Sequence, residues 1–315
     1  MNGVGIPHRA DCGISLSEEL WRRIGDRICK RHRLNYSRLE SSPTSENYVL
    51  FVDQAFVIKI FLPQRNMFSR ELLALGLGKG MDLRIPRMLH FGEMEGWSYL
   101  VMKKMRGQPL PQPWATLVRK DQIEIISELG AAMRRLHSQK IASAVFRKCR
   151  RPWLAFLNQQ VRVSAERQRA KGASEQWLNR LAQYLNDSLH LLPTDSCDVL
   201  LHGDLHPANL LVYRRKDRWI IRALVDFADS LIGFCEYDFV KPMLHMAFAD
   251  PLLQQTLLLS YGYKEREFDV RLRRRLMLLT ILHEGSNLKK ACVRLGPGAD
   301  SLTFQQLEER IWPFL

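Results

Sequence analysis

The sequence predicts an α+β fold in two lobes, a small β-rich N-terminal lobe and a larger α-rich C-terminal lobe. Three observations predict it. Short β-patterned runs with one inserted helix fill the early part of the chain. A connector with one glycine and three prolines follows, Arg106-Gly-Gln-Pro-Leu-Pro-Gln-Pro113. Beyond it, apolar residues recur at helical spacing, and a single pair of β-runs interrupts them. The division expected from this change of composition is 1–105 and 106–315.

Ser15-Leu-Ser-Glu18 has the spacing of a capping box, in which each side chain satisfies an orphaned amide of the first turn. Behind it Leu20, Trp21, Ile24 and Ile28 share one face, so an amphipathic helix is expected to about Arg31. Tyr48–Phe51 and Phe56–Phe61 read as strands joined by a turn at Asp53-Gln54. Leu72 and Leu75 place a helix over Phe68–Leu77, and Leu89–Phe91 and Trp97–Met102 read as strands about the turn Glu93-Met-Glu-Gly96. After the connector, Asp121 and Glu124 are placed as an N-cap pair. Ile123, Ile126, Leu129, Met133 and Leu136 then form a core stripe that ends near His137. A second helical region is expected over about Leu154–Leu191. Leu210–Tyr213 and Ile220–Val225 are β-runs joined by the charged turn Arg214–Arg218, and helical patterns resume from Phe239.

With 315 residues, 46% hydrophobic and 25% charged, the chain has the apolar content of a globular protein, which excludes intrinsic disorder. Its formal net charge of +14 suits a polyanionic partner as readily as it suits a solvated basic surface. The basic residues are spread over the whole length, and no nucleic-acid-binding signature accompanies them, so no nucleic-acid partner is expected. Cys12, Cys29, Cys149, Cys197, Cys235 and Cys292 form neither a CxxC pair nor a zinc spacing with histidine, which points to reduced thiols. The first residues lack an apolar signal region, and apolar runs such as Leu276–Leu282 are too short to span a bilayer. A soluble cytoplasmic protein without a membrane span is expected.

The chemistry concentrates in His202-Gly-Asp204-Leu-His-Pro-Ala-Asn209. An acid followed five positions later by an asparagine is the spacing of a kinase catalytic loop. Asp204 would orient an acceptor hydroxyl and take its proton, and Asn209 would hold a metal ion near phosphates. A second acid, Asp226 in Leu224-Val-Asp226-Phe-Ala-Asp229, ends a β-run as the metal-binding Asp of a DFG element does, with Ala228 in place of the glycine. Singly, Asp226 reads as well as a turn cap and Asn209 as a helix start; flanking two β-runs in this order, they read as a pair. Upstream, Val57-Ile-Lys59-Ile-Phe61 sets a lysine in an apolar strand, and Glu71 lies in the next helix. Lys59 would contact nucleotide phosphates, with Glu71 holding it through an ion pair. Between Leu39 and Val49 a glycine-free segment stands where phosphates would be covered; Ser42, Thr44 and Ser45 offer hydroxyl donors there, though the segment reads equally as a polar turn. Tyr99–Met105 reads as a strand and hinge whose Met102 and Met105 line an adenine slot, or as a plain core strand.

LLHGDLHPANLLV (Leu200–Val212), LVDFADSLIGFCEYDFV (Leu224–Val240) and LGAAMRRLHS (Leu129–Ser138) resemble the aminoglycoside phosphotransferases and choline-kinase-like enzymes, which share the protein-kinase fold. The DFAD-then-EYDF pattern is nearest to hygromycin-kinase-like members. The order of Lys59, Glu71 and the Met102–Gly107 hinge extends the resemblance over most of the chain. The resemblance implies Asp204 as catalytic base, Asn209 and Asp226 as Mg2+ ligands, and Asp238 as a structural acid under the loop. Gly233-Phe-Cys-Glu236 departs from the family's Gly-Asp-Pro-like stretch. HGD in place of HRD favours small-molecule kinases.

The function expected is therefore an ATP- and Mg2+-dependent O-phosphotransferase acting on a hydroxyl of a small molecule, aminoglycoside-like, sugar or amino alcohol. Residues 1–105 would take the nucleotide and 106–315 the chemistry and the acceptor. A kinase of a macromolecule or lipid-linked sugar is the alternative, against which the missing APE segment counts. A nucleotide-binding pseudokinase is another, favoured by the glycine-free loop and opposed by the presence of Lys59, Asp204, Asn209 and Asp226. Asp229, Glu236, Asp250, Glu265, Glu267, Asp269 and Glu284 are matched by about as many basic residues, so no acidic concentration marks a polycationic acceptor. His137, His202 and His206 read as framework residues, and the Arg147–Arg151 and Arg271–Arg275 clusters as solvated or facing an anionic substrate.

Overall fold

A computed structural model describes residues 18–42, 47–62, 66–78, 83–110, 114–193 and 198–315, with 143–152 and 198 described by backbone alone. The expected Ser15 capping box lies outside these residues. They fall into two compact units, one drawn from Met1–Lys79, Ile85–Arg106 and Phe227–Asp229, the other from Gly80–Arg84, Gly107–Asp226 and Ser230–Leu315.

The first unit contains α1 (Glu18–Arg31), β1 (Leu39–Ser41), β2 (Tyr48–Val52), β3 (Phe56–Ile60), α2 (Met67–Leu77), β4 (Met88–Met94) and β5 (Trp97–Lys103). Its sheet is antiparallel, in the order β1-β2-β3-β5-β4. In β2, buried Tyr48, Leu50 and Val52 alternate with half-exposed Val49 and Phe51, the period-two pattern of a strand with one face in a core. That core receives Trp21, Ile24 and Ile28, one face of α1, against Leu50, Ile58, Ile60, Tyr99 and Val101. Trp21 stacks on Tyr48 with ring centroids 3.7 Å apart. β1 was not expected from the sequence. It shortens the segment assigned to phosphates, and Ser42 N–H continues its ladder by donating to Val49 O at 2.8 Å.

The second unit holds β6 (Gln108–Pro109), α3 (Arg119–His137), α4 (Ser143–Arg169), α5 (Glu175–Ser188), β7 (Asp198–Leu201), β8 (Leu210–Arg215), β9 (Arg218–Leu224), β10 (Leu231–Phe234), α6 (Val240–Met246), α7 (Pro251–Tyr261), α8 (Val270–Leu282), α9 (Leu288–Leu295) and α10 (Phe304–Ile311). Its strands form a β6-β8-β9 sheet and an antiparallel β7-β10 pair. Leu276–Leu282 is buried along α8, and among the described residues no helix is long and apolar enough to cross a membrane.

Four expectations are corrected here. Asp121 does not cap α3, whose N-cap is Val118 without a side-chain bond. The carboxylate accepts instead from Trp219 Nε1 at 2.9 Å, because a buried indole N–H needs an acceptor. In the core stripe Ile125 takes the buried place expected of Ile123, which is half-exposed. The region expected over 154–191 is two helices, broken at Gly172, which has φ +87°. Ser174 then caps α5 by accepting from Trp177 N at 3.3 Å. Finally, the Arg271–Arg275 cluster is not uniformly solvated. Arg275 pairs with buried Glu236 at 2.7 Å, and Arg274 and Arg273 pair with buried Glu308 at 3.1 and 3.4 Å.

α3 and α7 approach closely at Gly130. A Cβ there would stand 2.7 Å from Leu257 O and 2.9 Å from Tyr261 N, both backbone atoms of α7. Gly76 in α2 has open space at the same position. Gly130→Ala is expected to lower stability by about 1–3 kcal/mol, since the helices must separate, whereas Gly76→Ala is expected to raise it by roughly 0.5 kcal/mol through helix propensity. Chemical unfolding of the two variants beside the parent checks both signs.

Candidate active site

The segment from His202 to Asn209 leaves β7 through Gly203, whose φ of +82° lies in the left-handed region that glycine adopts without a Cβ clash. The turn is held from beneath. Asp238, in the 3-10 turn Cys235–Phe239 after β10, accepts His202 N–H at 2.7 Å and Gly203 N–H at 2.8 Å. His137, the last residue of α3, adds Nε2 at 3.0 Å to the same carboxylate and is itself bonded to Tyr261 Oη through Nδ1. Burial works to raise the Asp238 pKa, but His137 and the donated N–H groups outweigh it, so the carboxyl is held below 3.8.

The His202 ring is fully buried. Its Nδ1 accepts from Asp204 N at 3.3 Å, so Nε2 carries the hydrogen and donates to Val225 O at 3.0 Å. Burial holds this imidazole neutral, its pKa below the usual histidine value against the pull of nearby carboxylates. Val225 N–H in turn donates to Asn209 O at 3.0 Å. Asn209 donates its side-chain Nδ2 to Asp204 O at 2.9 Å and Asp204 Oδ2 at 3.3 Å. Asp226, next along from Val225, sits at φ +66°, a left-handed conformation that Asp tolerates better than most residues. The segments that carry Asp204, Asn209 and Asp226 are thus tied to one another by hydrogen bonds around Val225.

Asp204 is partly exposed, with side chains on both its oxygens. His206 accepts from Ala208 N through Nδ1 and turns Nε2 to Asp204 Oδ2 at 3.2 Å. Lys241, on α6, places Nζ 2.9 Å from Oδ1, an ion pair without hydrogen-bond alignment. Burial opposes ionisation here too. The His206 bond and the Lys241 charge override it and hold the carboxyl far below the ordinary range. Lys241 and His245, one turn apart on α6, escaped sequence reasoning. The available signal was a lone lysine in Phe239-Val-Lys241-Pro-Met, an apolar setting like that of Lys59.

In the first unit, Lys59 Nζ and Glu71 Oε2 form a 2.7 Å ion pair, with side chains 3% and 1% exposed. Lys59 pairs in register with Leu100 on β5 and Val49 on β2. Met102 stands opposite Val57, two residues from Lys59, and therefore on the same sheet face as the lysine. Ser42 meets the same row through its bond to Val49, while Met105 is half-exposed beyond the end of β5. Thr44 and Ser45 lie outside the described residues.

Asn209, with Nδ2 spent on Asp204, keeps Oδ1. That oxygen and the Asp226 carboxylate are hard donors of the kind Mg2+ takes. Among the described residues no group of three or more His, Cys, Asp or Glu side chains is placed to hold a metal ion. A Mg2+ ion commonly completes its shell with phosphate oxygens and water, so two protein oxygens fit it.

A family model described as the phosphotransferase enzyme family matches residues 42–276. No curated protein sequence matches the chain. Among solved structures, the chain is similar to the GDP complex of wild-type aminoglycoside 2'-phosphotransferase-IIIa, with 18% identity and a TM-score of 0.66 over 94% of this chain and 98% of that one. It is also similar to the streptomycin–ATP–APH(2")-IIa ternary complex, with 15% identity and a TM-score of 0.61 over 93% and 99%. The aminoglycoside phosphotransferase APH(3'')-Id from Streptomyces rimosus matches with 18% identity and a TM-score of 0.58 over 82% and 97%. At these identities the likeness shows a shared fold, the kinase-like α+β fold expected from the sequence.

The folded pKa of Asp238 lies below its unfolded value of 3.8, so its contribution to stability is complete above that value and is lost as pH falls through the folded one. Asp238→Asn replaces an acceptor of two N–H groups with a group that is half donor. It is expected to cost on the order of 2 kcal/mol at neutral pH and to weaken the loss of stability that sets in as pH falls below the unfolded value of 3.8. Denaturant unfolding of parent and variant at neutral pH and at stepwise lower pH checks the difference.

Proposed function

The chain belongs to the phosphotransferase enzyme family, and we propose that it transfers the γ-phosphoryl group of ATP to a hydroxyl of a small molecule. The observation that carries this reading is the framework around Val225. It ties the loop of Asp204 and Asn209 to Val225, the residue before Asp226, through hydrogen bonds that leave little freedom to drift. The GDP and ATP complexes among the similar structures support a nucleotide as donor.

In this reading Asp204 accepts a hydrogen bond from the acceptor hydroxyl and aims its oxygen at the γ-phosphorus. A carboxylate with so low a pKa is a weak base, so it does not strip the hydroxyl in advance. It takes the proton as the new P–O bond forms and the bond to the β-phosphate oxygen breaks. Such late proton transfer suits a loose transition state, in which positioning and charge neutralisation carry most of the rate. A Mg2+ ion held by Asn209 and Asp226 supplies, when bound, neutralisation of the phosphate charge. Lys59, steadied by Glu71, binds the nucleotide phosphates; Ser42 and Ser45 donate to them, and Met102 and Met105 line the apolar slot for the base. His202 and Asp238 touch no reacting atom and act by positioning Asp204.

Asp204→Asn keeps the shape and removes the proton acceptor. It is expected to lower turnover by about 10²- to 10⁴-fold while nucleotide affinity stays unchanged. ADP release during phosphorylation of an accepted hydroxyl compound, with nucleotide binding measured in parallel, tests it. Undiminished turnover in the variant would overturn the assignment.

A further inference from the structure

Both carboxylate oxygens of Asp204 are covered. Oδ2 faces His206 Nε2 at 3.2 Å and Asn209 Nδ2 at 3.3 Å, two donors for the two lone pairs of that oxygen. Oδ1 is buried, with Lys241 Nζ 2.9 Å away. A hydroxyl that is to hydrogen-bond Asp204 must therefore displace one of these three groups.

Two of the three are held in place. His206 takes Ala208 N–H on Nδ1, which fixes the ring, and the Asn209 amide is bonded also to Asp204 O at 2.9 Å. Lys241 reaches from α6 on a flexible four-carbon stem, is partly exposed, and lacks the alignment of a hydrogen bond. It is the group that yields at least cost. Its place is nevertheless made for it. The turn between α8 and α9 is closed by Gly285 N–H on His283 Nδ1 at 3.1 Å and by Ser286 N–H on His283 O at 2.9 Å. A Cβ on Gly285 would stand 3.3 Å from Lys241 Nζ and 3.7 Å from its Cε. Gly285 does not have the left-handed φ that calls for glycine. What its missing side chain leaves is room for the ammonium.

Such a cover separates two nucleophiles. Water is the smallest hydroxyl acceptor. When it attacks, its oxygen bonds to the γ-phosphorus, the bond to the β-phosphate oxygen breaks with its electron pair leaving on ADP, and a water proton passes to Asp204. Water brings no further contacts to offset the lost ion pair, whereas an acceptor bound through several polar groups does. Resting on the phosphotransferase reading above, we infer that Lys241 sets the choice between acceptor and water: its ammonium keeps water from Oδ1 of Asp204 and gives way to the hydroxyl of a bound acceptor. Lys241 is in this sense a specificity-determining residue that acts through Asp204.

The test needs no identified acceptor. Phosphate release from ATP and Mg2+ in buffer alone is measured for the parent, Lys241→Ala, Lys241→Arg, and Lys241→Ala combined with Asp204→Asn, with nucleotide affinity in parallel so that rates are compared at saturation. Lys241→Ala is expected to raise hydrolysis about fivefold, the rate equivalent of a partly exposed ion pair. Lys241→Arg, which keeps the charge, is expected to stay close to the parent. The double variant is expected to lose the gain, because the uncovered group is then no longer a carboxylate. A gain of this kind is not what damage to the fold produces. Hydrolysis by Lys241→Ala at or below the parent rate overturns the inference, as does a gain that survives Asp204→Asn, and either leaves the phosphotransferase reading standing. Nucleotide binding without ATP turnover in any of these proteins overturns that reading and the inference together.

Discussion

Asp238 fixes where Asp204 can be. A carboxylate taken out of water costs several kcal/mol unless donors replace its hydration, and here His202 N–H, Gly203 N–H and His137 replace it. Two of these donors belong to the turn that Asp204 follows, so the turn cannot slide without stranding the charge. The left-handed φ of Gly203 is what lets both amides point to one carboxylate. The His202 ring carries the tie onward to Val225, and Val225 carries it to Asn209. Segments distant in sequence are joined at this point by directional bonds rather than by apolar packing, and directional bonds set angles as well as distances. A loop held this way gives a carboxylate one orientation, which phosphoryl transfer depends on.

Lys59 and Lys241 show how one residue type reads differently in two settings. Lys59 stands in a buried strand, and its ammonium is neutralised by Glu71 from the following helix. Removing either member of such a pair leaves a charge in low dielectric, so the pair binds strand and helix as one piece. Lys241 is half-exposed, and its charge acts on Asp204 without an aligned hydrogen bond. Its effect is to lower the Asp204 pKa and to shape the field beside it.

Local patterns were legible in the sequence and long-range pairings were not. The strand alternation of Tyr48–Val52, the stripe of α1 and the Asp204-to-Asn209 spacing are each written within a few residues, where period and motif can be read. β7 and β10 escaped because each is four residues long and is defined by the other, some thirty positions away. The misplaced Asp121 cap has the same origin, since nothing near Asp121 announces Trp219. So does the misreading of Arg273–Arg275, whose partners Glu236 and Glu308 lie 34 to 39 residues off. Lys241 was missed for a further reason. Its neighbours Val240, Pro242 and Met243 mark it as unusual, but only the fold supplies Asp204 as the group it faces.

The net charge of +14 therefore says little until pairing is known. Spread along the sequence, the basic residues resemble a solvated surface. In the second unit, however, several arginines are absorbed by buried carboxylates, and the same pairings remove those carboxylates from any binding role. Beside Asp204 the cation is Lys241 of α6, whose charge is set against Oδ1 of that carboxylate. Two like charges about 7 Å apart at an effective dielectric of about 20 repel by roughly 2 kcal/mol before salt screening, enough to change affinity more than tenfold. A fold shared with aminoglycoside phosphotransferases fixes the backbone that holds the loop from His202 to Asn209. Which acceptor can reach that loop is decided by a handful of side chains whose charge the backbone does not dictate.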